Sequence, residues 1–239
     1  MFMTNLEKNS DVQFTALVIG ATGGIGHAFL KAFENDPCFE RVDRIDRKIY
    51  SEFDLRSEEA IERSIEHCIA ETAAYDVIID ATGALEISGT RPERSLNKLS
   101  YENMNAHFQV NSVGPALLLK HLAPRLRRGG RAVYAKLGAR VGSITDNELG
   151  GWVSYRASKA ALCQVIKTAA IEIGRKQPKH IIVALHPGTV ETPLSANYRT
   201  KHEKLTPEQS VKMLLDVIAG LEAVQSGSHL DYKGEAIPG

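Results

Sequence analysis

Phe14-Thr15-Ala16-Leu17-Val18-Ile19-Gly20-Ala21-Thr22-Gly23-Gly24-Ile25-Gly26 is the stretch that decides the fold. The run Phe14–Ile19 is too brief for a helix and apolar enough for a strand buried on both faces. After the glycines, Ala28, Phe29, Ala32 and Phe33 recur at helical spacing. Strand, glycine turn, helix is the setting in which such a motif binds a dinucleotide. Gly20 turns the chain sharply off the strand, Gly24 lets backbone approach a pyrophosphate, and Gly26 lets the helix pack closely on the sheet. Free N–H groups at the helix start, with Thr22, Gly23 and Ile25 in the same turn, then meet the phosphates. The spacing is Gly-x-x-x-Gly-x-Gly.

The chain has 239 residues, with 29 Lys plus Arg against 29 Asp plus Glu, so its formal net charge is zero. That balance gives no basic field of the kind nucleic acid requires. A hydrophobic content of 43% allows a sizeable core. Cys38, Cys68 and Cys163 are scattered and no pair has metal-ligand spacing, so they read as reduced, mostly buried thiols, and no metal is expected. Met1–Ser10 carries no apolar stretch and no run suits a bilayer span. The expectation is a cytoplasmic protein with a poorly ordered lead-in over 1–12.

Downstream of the glycines, strands and helices alternate. Arg41–Lys48 reads as a second strand, and Asp46 stands about 20 residues after the motif, where an acid would hydrogen-bond a ribose. Arg47 and Lys48 follow at once, and cations there suit a 2′-phosphate, so NAD and NADP both remain open. Asp54, with Leu55, is placed to reach an adenine or to serve an ordinary turn before a helix over 57–71. Tyr75–Ile79 is a third strand, ending in Asp80-Ala81-Thr82-Gly83, a small-residue turn of the kind that borders a cofactor. Residues 84–99 read as a loop. A largely apolar helical segment covers about 100–127; Asn111 inside it must find partners if buried, and Pro115 suggests a kink or break. Arg131–Leu137 and Ile181–Leu185 are further strands, and Ser228–Gly234 holds a probable last one. Between them a helix carries Tyr155 and Lys159 at i and i+4, on one face. A fixed cation beside a phenol favours the phenolate and lowers its pKa from about 10. Residues 194–206, with Tyr198, Arg199 and His202, read as a substrate lid, and Pro207 opens a helix. No linker interrupts the pattern, which predicts a single α/β domain over 1–239.

The ordered set Gly20-x-x-x-Gly24-x-Gly26, Asp80-Ala81-Thr82-Gly83, Asn111, Ser143, Tyr155-x-x-x-Lys159 and Pro187-Gly188-x-x-x-Thr192 resembles the short-chain dehydrogenase/reductase family over nearly the whole chain. Ala139–Ile144, Gly150-Gly151-Trp152 and Tyr155–Lys159 resemble its C-factor-like, carbonyl reductase-like branch. The resemblance implies a Rossmann-type doubly wound sheet of about seven parallel strands with helices on both faces. It implies NAD(P)(H)-dependent hydride transfer to or from a small carbonyl or alcohol substrate. By carry-over Tyr155 is the acid/base, Lys159 holds the nicotinamide ribose, Asn111 anchors a relay water, and Pro187, Gly188, Val190 and Thr192 flank the nicotinamide. The helices around 100–127 and 154–174 imply a homodimer or homotetramer. The chain departs from the family pattern at Asp80, where an Asn is usual, and at Leu137-Gly138-Ala139, where the substrate-orienting serine is usual. Ser143 is then the candidate hydroxyl, against the alternative of a loop serine capping a turn. The second departure keeps a different class in view: a cofactor-binding regulatory or signalling protein with little turnover.

Overall fold

The computed structural model describes residues 13–69, 74–192 and 204–239. Its strands are β1 (Phe14–Ile19), β2 (Phe39–Ile45), β3 (Val77–Asp80), β4 (Ala132–Leu137), β5 (His180–His186) and β6 (His229–Asp231). They form one sheet in the order β2-β1-β3-β4-β5-β6, parallel throughout. The helices are α1 (Gly24–Glu34), α2 (Glu58–Ile69), α3 (Tyr101–Phe108), α4 (Gly114–Leu122), α5 (Val153–Lys176) and α6 (Pro207–Gly220).

Alternation of side chains along each strand feeds two cores. Val18, Ile79, Val133 and Val183 pack with Phe29 and Phe33 of α1 and Leu214 and Ile218 of α6. Leu17, Ile19, Ile78 and Ile182 pack with Ile61 of α2, Leu118 and Leu122 of α4, and Leu162 and Ile166 of α5. Each such fully buried side chain stabilises the fold by roughly 1.5–3 kcal/mol. This covering of both faces explains why the central strands read as unbroken apolar runs. Helix starts follow the sequence cues: Ser57 Oγ accepts from Ala60 N before α2, and Thr206 with Gln209 forms a capping box ahead of Pro207.

Among the described residues the sheet has six strands, not about seven. The reason lies just after β2. Asp46 Oδ1 accepts from Lys48 N and Ile49 N, and Asp46 O accepts from Ile49 N and Tyr50 N. This turn folds Asp46–Lys48 out of the expected strand, and among the described residues no further strand joins that edge. The helical segment over 100–127 is also divided. A π turn, Gln109–Val113, joins α3 to α4, and Pro115 sits in the first turn of α4, where its missing N–H costs least. The cysteines are unpaired but half-buried rather than mostly buried. The lead-in 1–12, residues 70–71 of the predicted second helix, and 194–203 of the predicted lid lie outside the described residues. Among the described residues no helix is long and apolar enough to cross a membrane.

The chain leaves β1 toward β2 on one side, and β3 pairs on the other, so the connections that follow β1 and β3 diverge at the strands' C-terminal ends. Ala81 N donates to Ile19 O there, at 2.9 Å. Open parallel sheets bind ligands at this reversal.

Candidate active site

A cleft of about 760 Å³ opens at the reversal, and Gly20, Thr22, Gly23, Asp46, Arg47, Asp54, Leu55, Ala81, Thr82 and Gly83 all line it. The N-terminus of α1 carries no side-chain cap and no acid in its first turn, leaving its N–H groups for an anion. Gly26 makes this possible: a Cβ there would lie 2.3 Å from Gly20 O. Gly24 approaches Thr192, whose Cγ2 would be 2.8 Å from an added Cβ, so the segment after β5 comes down onto the glycine turn. Ile25 packs against the α1–α6 core rather than lining the cleft.

Asp46 is almost fully buried, and its Oδ2 has no hydrogen bond; the Arg44 Nε stands 3.6 Å away. A buried carboxylate oxygen in a polar cleft suits a hydroxyl donor. Asp54 is occupied differently. Its carboxylate accepts from Arg56 N, Nε and Nη2, and that pairing holds its pKa below the usual range.

Tyr155 and Lys159 lie on one face of α5, with Lys159 Nζ 5.9 Å from the centre of the phenol ring. Lys159 Nζ also donates to Leu137 O at 3.4 Å and would be 3.3 Å from a Cβ on Gly83. Gly83 has a φ of 128° and admits no side chain between Lys159 and Asn111 Oδ1. Asn111, fully buried in the π turn, clamps Ala84: its Oδ1 accepts from Ala84 N and its Nδ2 donates to Ala84 O, both at 2.9 Å. π turns of this kind often mark functional sites.

Burial, with no offset from Lys159, pushes the Tyr155 phenol well above its usual range. Burial and then the neighbouring Lys136 push Lys159 down to about 7. The sequence expectation that the lysine lowers the phenol pKa is therefore not what these residues alone produce. No hydrogen bond joins the two, and desolvation dominates both.

The sequence assigned no role to several residues around the pair. Trp152 adopts a left-handed φ of 51° directly before α5, after Gly150 and Gly151, which also have positive φ. Its ring meets Tyr155 edge-on at 6.2 Å, and His107 does so at 5.9 Å. Such backbone strain costs about 1–3 kcal/mol and persists where the surroundings enforce it. Here Glu93 enforces it. Its backbone O accepts from Trp152 N, and its carboxylate accepts from Ser154 N, Ser154 Oγ and Asn103 Nδ2. Burial pushes the Glu93 pKa up, but these hydrogen bonds outweigh it and hold the group ionised. A helix that starts without Ser, Thr, Asp or Asn as its cap signals only that its first N–H groups need an acceptor from elsewhere in the chain.

Ser143 is buried, and its Oγ accepts from Asp146 N at 3.0 Å, the geometry of a turn-capping serine. At the end of β4, Gly138 leaves room for His229, whose Nε2 would be 3.1 Å from a Cβ at that position. Pro187 O accepts from Ser210 Oγ of α6, and Val190 is buried and bridges to Leu205. Glu58, Glu62 and His121 bring ligand atoms within 4.8 Å of one another, but Lys120 Nζ already occupies Glu58.

A family model of short chain dehydrogenases matches residues 14–203. The chain is 32% identical to the C-signal of Myxococcus xanthus over 70% of its own length and 94% of that protein. It is 28% identical to 1-hydroxy-2-glutathionyl-2-methyl-3-butene dehydrogenase of Rhodococcus sp. (strain AD45), over 89% of its own length and 94% of that protein. Among solved structures, the carbonyl reductase Sniffer of D. melanogaster superposes with a TM-score of 0.79 at 22% identity, covering 95% of this chain and 100% of that one. An NADPH-bound carbonyl reductase from chicken fatty liver superposes with a TM-score of 0.80 at 22% identity, covering 95% of this chain and 94% of that one. Likeness at that identity establishes the fold.

Proposed function

The chain belongs to the short-chain dehydrogenase/reductase family and is by that membership an NAD(P)-dependent oxidoreductase; we propose that it interconverts a small carbonyl and its alcohol with Tyr155 as the acid/base. The observation that carries this is the meeting of Lys159 and Asn111 at Gly83, a cleft-lining residue, with Lys159 Nζ over the Tyr155 ring. The uncapped start of α1 and the unbonded Asp46 Oδ2 fit the phosphates and a ribose hydroxyl of a dinucleotide. Bound there, NAD(P)H supplies the hydride and NAD(P)⁺ accepts it.

In reduction Tyr155 gives its phenolic proton to the substrate oxygen. Burial keeps the phenol protonated at neutrality, and it is still a stronger acid than the alcohol that forms when the substrate alkoxide takes its proton. Lys159 would hold a ribose hydroxyl and, through Asn111, would lie on the path that resupplies the proton. Pro187, Gly188, Val190 and Thr192 would flank the nicotinamide half, and Asp54 and Leu55 would border the adenine half. Ser143 orients the substrate oxygen only by releasing Asp146 N; otherwise that work falls to Tyr155.

Asp46 supports NAD(H) over NADP(H). A carboxylate buried beside a ribose accepts a 2′-hydroxyl and repels a 2′-phosphate. The whole chain acts as a single cofactor-binding unit, in the reducing cytoplasm that its half-buried thiols suit. Val113, beside α4, and Ile171 on α5 are about half exposed, at 49% and 50%, which suits a homodimer or homotetramer built on these helices.

The test is titration with NADH and NADPH. A panel of small aldehydes and ketones follows, with a hydroxylated glutathione thioether included because the Rhodococcus relative's name specifies one. NADH binding at least tenfold tighter than NADPH, with turnover of a panel member, is expected. A second reading, a cofactor-dependent signalling protein, is favoured by the hydroxyl-free end of β4 and by the likeness to C-signal. Tight NADH binding without turnover of any panel member would select it.

A further inference from the structure

Lys136 and Asp80 are direct partners in the register of β3 and β4, and both are 0% exposed. Lys136 Nζ donates to Asp80 Oδ1 at 2.8 Å, Thr82 O at 2.7 Å and Thr82 Oγ1 at 2.9 Å, with Asp80 O at 3.4 Å. Asp80 Oδ1 accepts in addition from Thr82 N and Thr82 Oγ1, and Asp80 Oδ2 accepts from the Tyr134 hydroxyl. Lys136 Nζ and Asp80 Oδ1 thus both bind the Asp80–Gly83 turn, while Tyr134 holds Asp80 Oδ2. From the other side Asn111 grips the same turn at Ala84. Burying an ion pair is costly, and packed apolar residues in its place are often as stable or more so. Stability therefore gives no reason for a lysine in the middle of an apolar strand. The acid–base step proposed above does not use it either.

We propose that the Lys136–Asp80 pair is a positioning element of the active site, which locks the cofactor-facing Asp80–Gly83 turn from beneath and sets a second buried cation beside Lys159. The inference rests on the oxidoreductase reading. Lys159 is faced by Lys136 from β4, Asp80 from β3, His107 from α3, His229 from β6, and Tyr155 and Cys163 of its own helix. Burial holds both imidazoles below their usual pKa and hence neutral, and it raises the Cys163 thiol. The charges that act on Lys159 at neutrality are then Lys136 and Asp80, and the repulsion from Lys136 is the larger. Without that repulsion Lys159 would stay protonated to higher pH, and the proton relay would lose its sensitivity near neutrality.

The experiment follows the Lys159 Nζ resonance against pH in protein with isotopically labelled lysine, the signal being identified by its loss in Lys159→Met. Two variants remove the cation. Asp80→Asn with Lys136→Met removes both charges together, and Lys136→Gln keeps hydrogen-bonding capacity at the turn. In folded Lys136→Gln the Lys159 midpoint is expected to rise by about half a unit or more, in the double variant, which also loses the Asp80 attraction, to rise by less, and NADH binding to weaken severalfold in both as the turn loosens. A midpoint at or below that of wild type in any folded variant overturns the proposal. Failure of both to fold would assign the pair to stability and overturn it as well. The titration needs no substrate. An inert enzyme with a shifted midpoint would sink the oxidoreductase reading alone, and an active one with an unmoved midpoint would sink this inference alone.

Discussion

Gly26→Ala tests the phosphate turn at its tightest point. The added Cβ would lie 2.3 Å from Gly20 O, 2.9 Å from Gly20 C and 3.2 Å from Ala21 Cα. All of these are backbone atoms, so no rotamer relieves the overlap. The start of α1 must withdraw by roughly 1 Å to restore ordinary van der Waals separation. Overpacking of this kind costs about 1–3 kcal/mol, or about 2–12 °C in Tm for a chain of this length. Gly20 O also accepts from Gly23 N at 3.1 Å, so withdrawal opens the loop whose N–H groups would hold the phosphates. NADH affinity should fall by at least about tenfold, which is 1.4 kcal/mol. Thermal melts with and without NADH, plus a fluorescence titration, measure both effects. Gly130→Ala is the control: a Cβ there meets nothing within 4 Å, and Tm and affinity should stay at wild-type values. Gly26→Ala with wild-type Tm and wild-type NADH affinity would refute the reasoning.

Glu93→Gln should cost about 1–3 kcal/mol by weakening the hydrogen bonds that start α5. It should lower kcat through Tyr155 while NADH affinity stays within about twofold; a melt and steady-state kinetics check both, and an unchanged kcat would show that the cap does not position Tyr155. Acid should destabilise the fold through its histidines. Burial pushes His186 and His229 down to about 4 from 6.5. The unfolded chain therefore binds protons first as pH falls. Their contribution is complete above about pH 6.5 and is lost toward pH 4, at about 1.4 kcal/mol per pH unit for each ring. Denaturant melts between pH 7.5 and 5 should show the decline, and His229→Gln should flatten it; equal slopes in wild type and variant would contradict the assignment.

Where local pattern and buried environment agree, the chain could be read directly. β1, β3, β4 and β5 are covered on both faces, so they appear as apolar runs, and the glycine turn was legible because a strand precedes it and a helix follows. Failures came where a side chain bonds to backbone. Asp46 folds the end of β2 into a turn, and no periodicity announces that. Ser143 holds Asp146 N in the same way, which fits the turn-capping alternative that the sequence left open. Lys136 was hidden inside an apolar strand, although an aspartate at the end of the neighbouring predicted strand was the clue to its partner. Glu93 acts across sixty-odd positions of sequence, at |i−j| of 61 from Ser154, a contact that no spacing rule encodes. The Tyr155 and Lys159 pKa values depend on burial, which only the assembled site supplies.

Tyr155→Phe tests the central claim most directly, with NADH affinity and carbonyl turnover measured on the same preparation. The substitution removes the transferable proton and leaves the ring that packs between Trp152 and His107. The account predicts NADH affinity within about twofold of wild type and a kcat reduced by about 10²–10⁴-fold. A folded Phe variant that retains most of its kcat would contradict it.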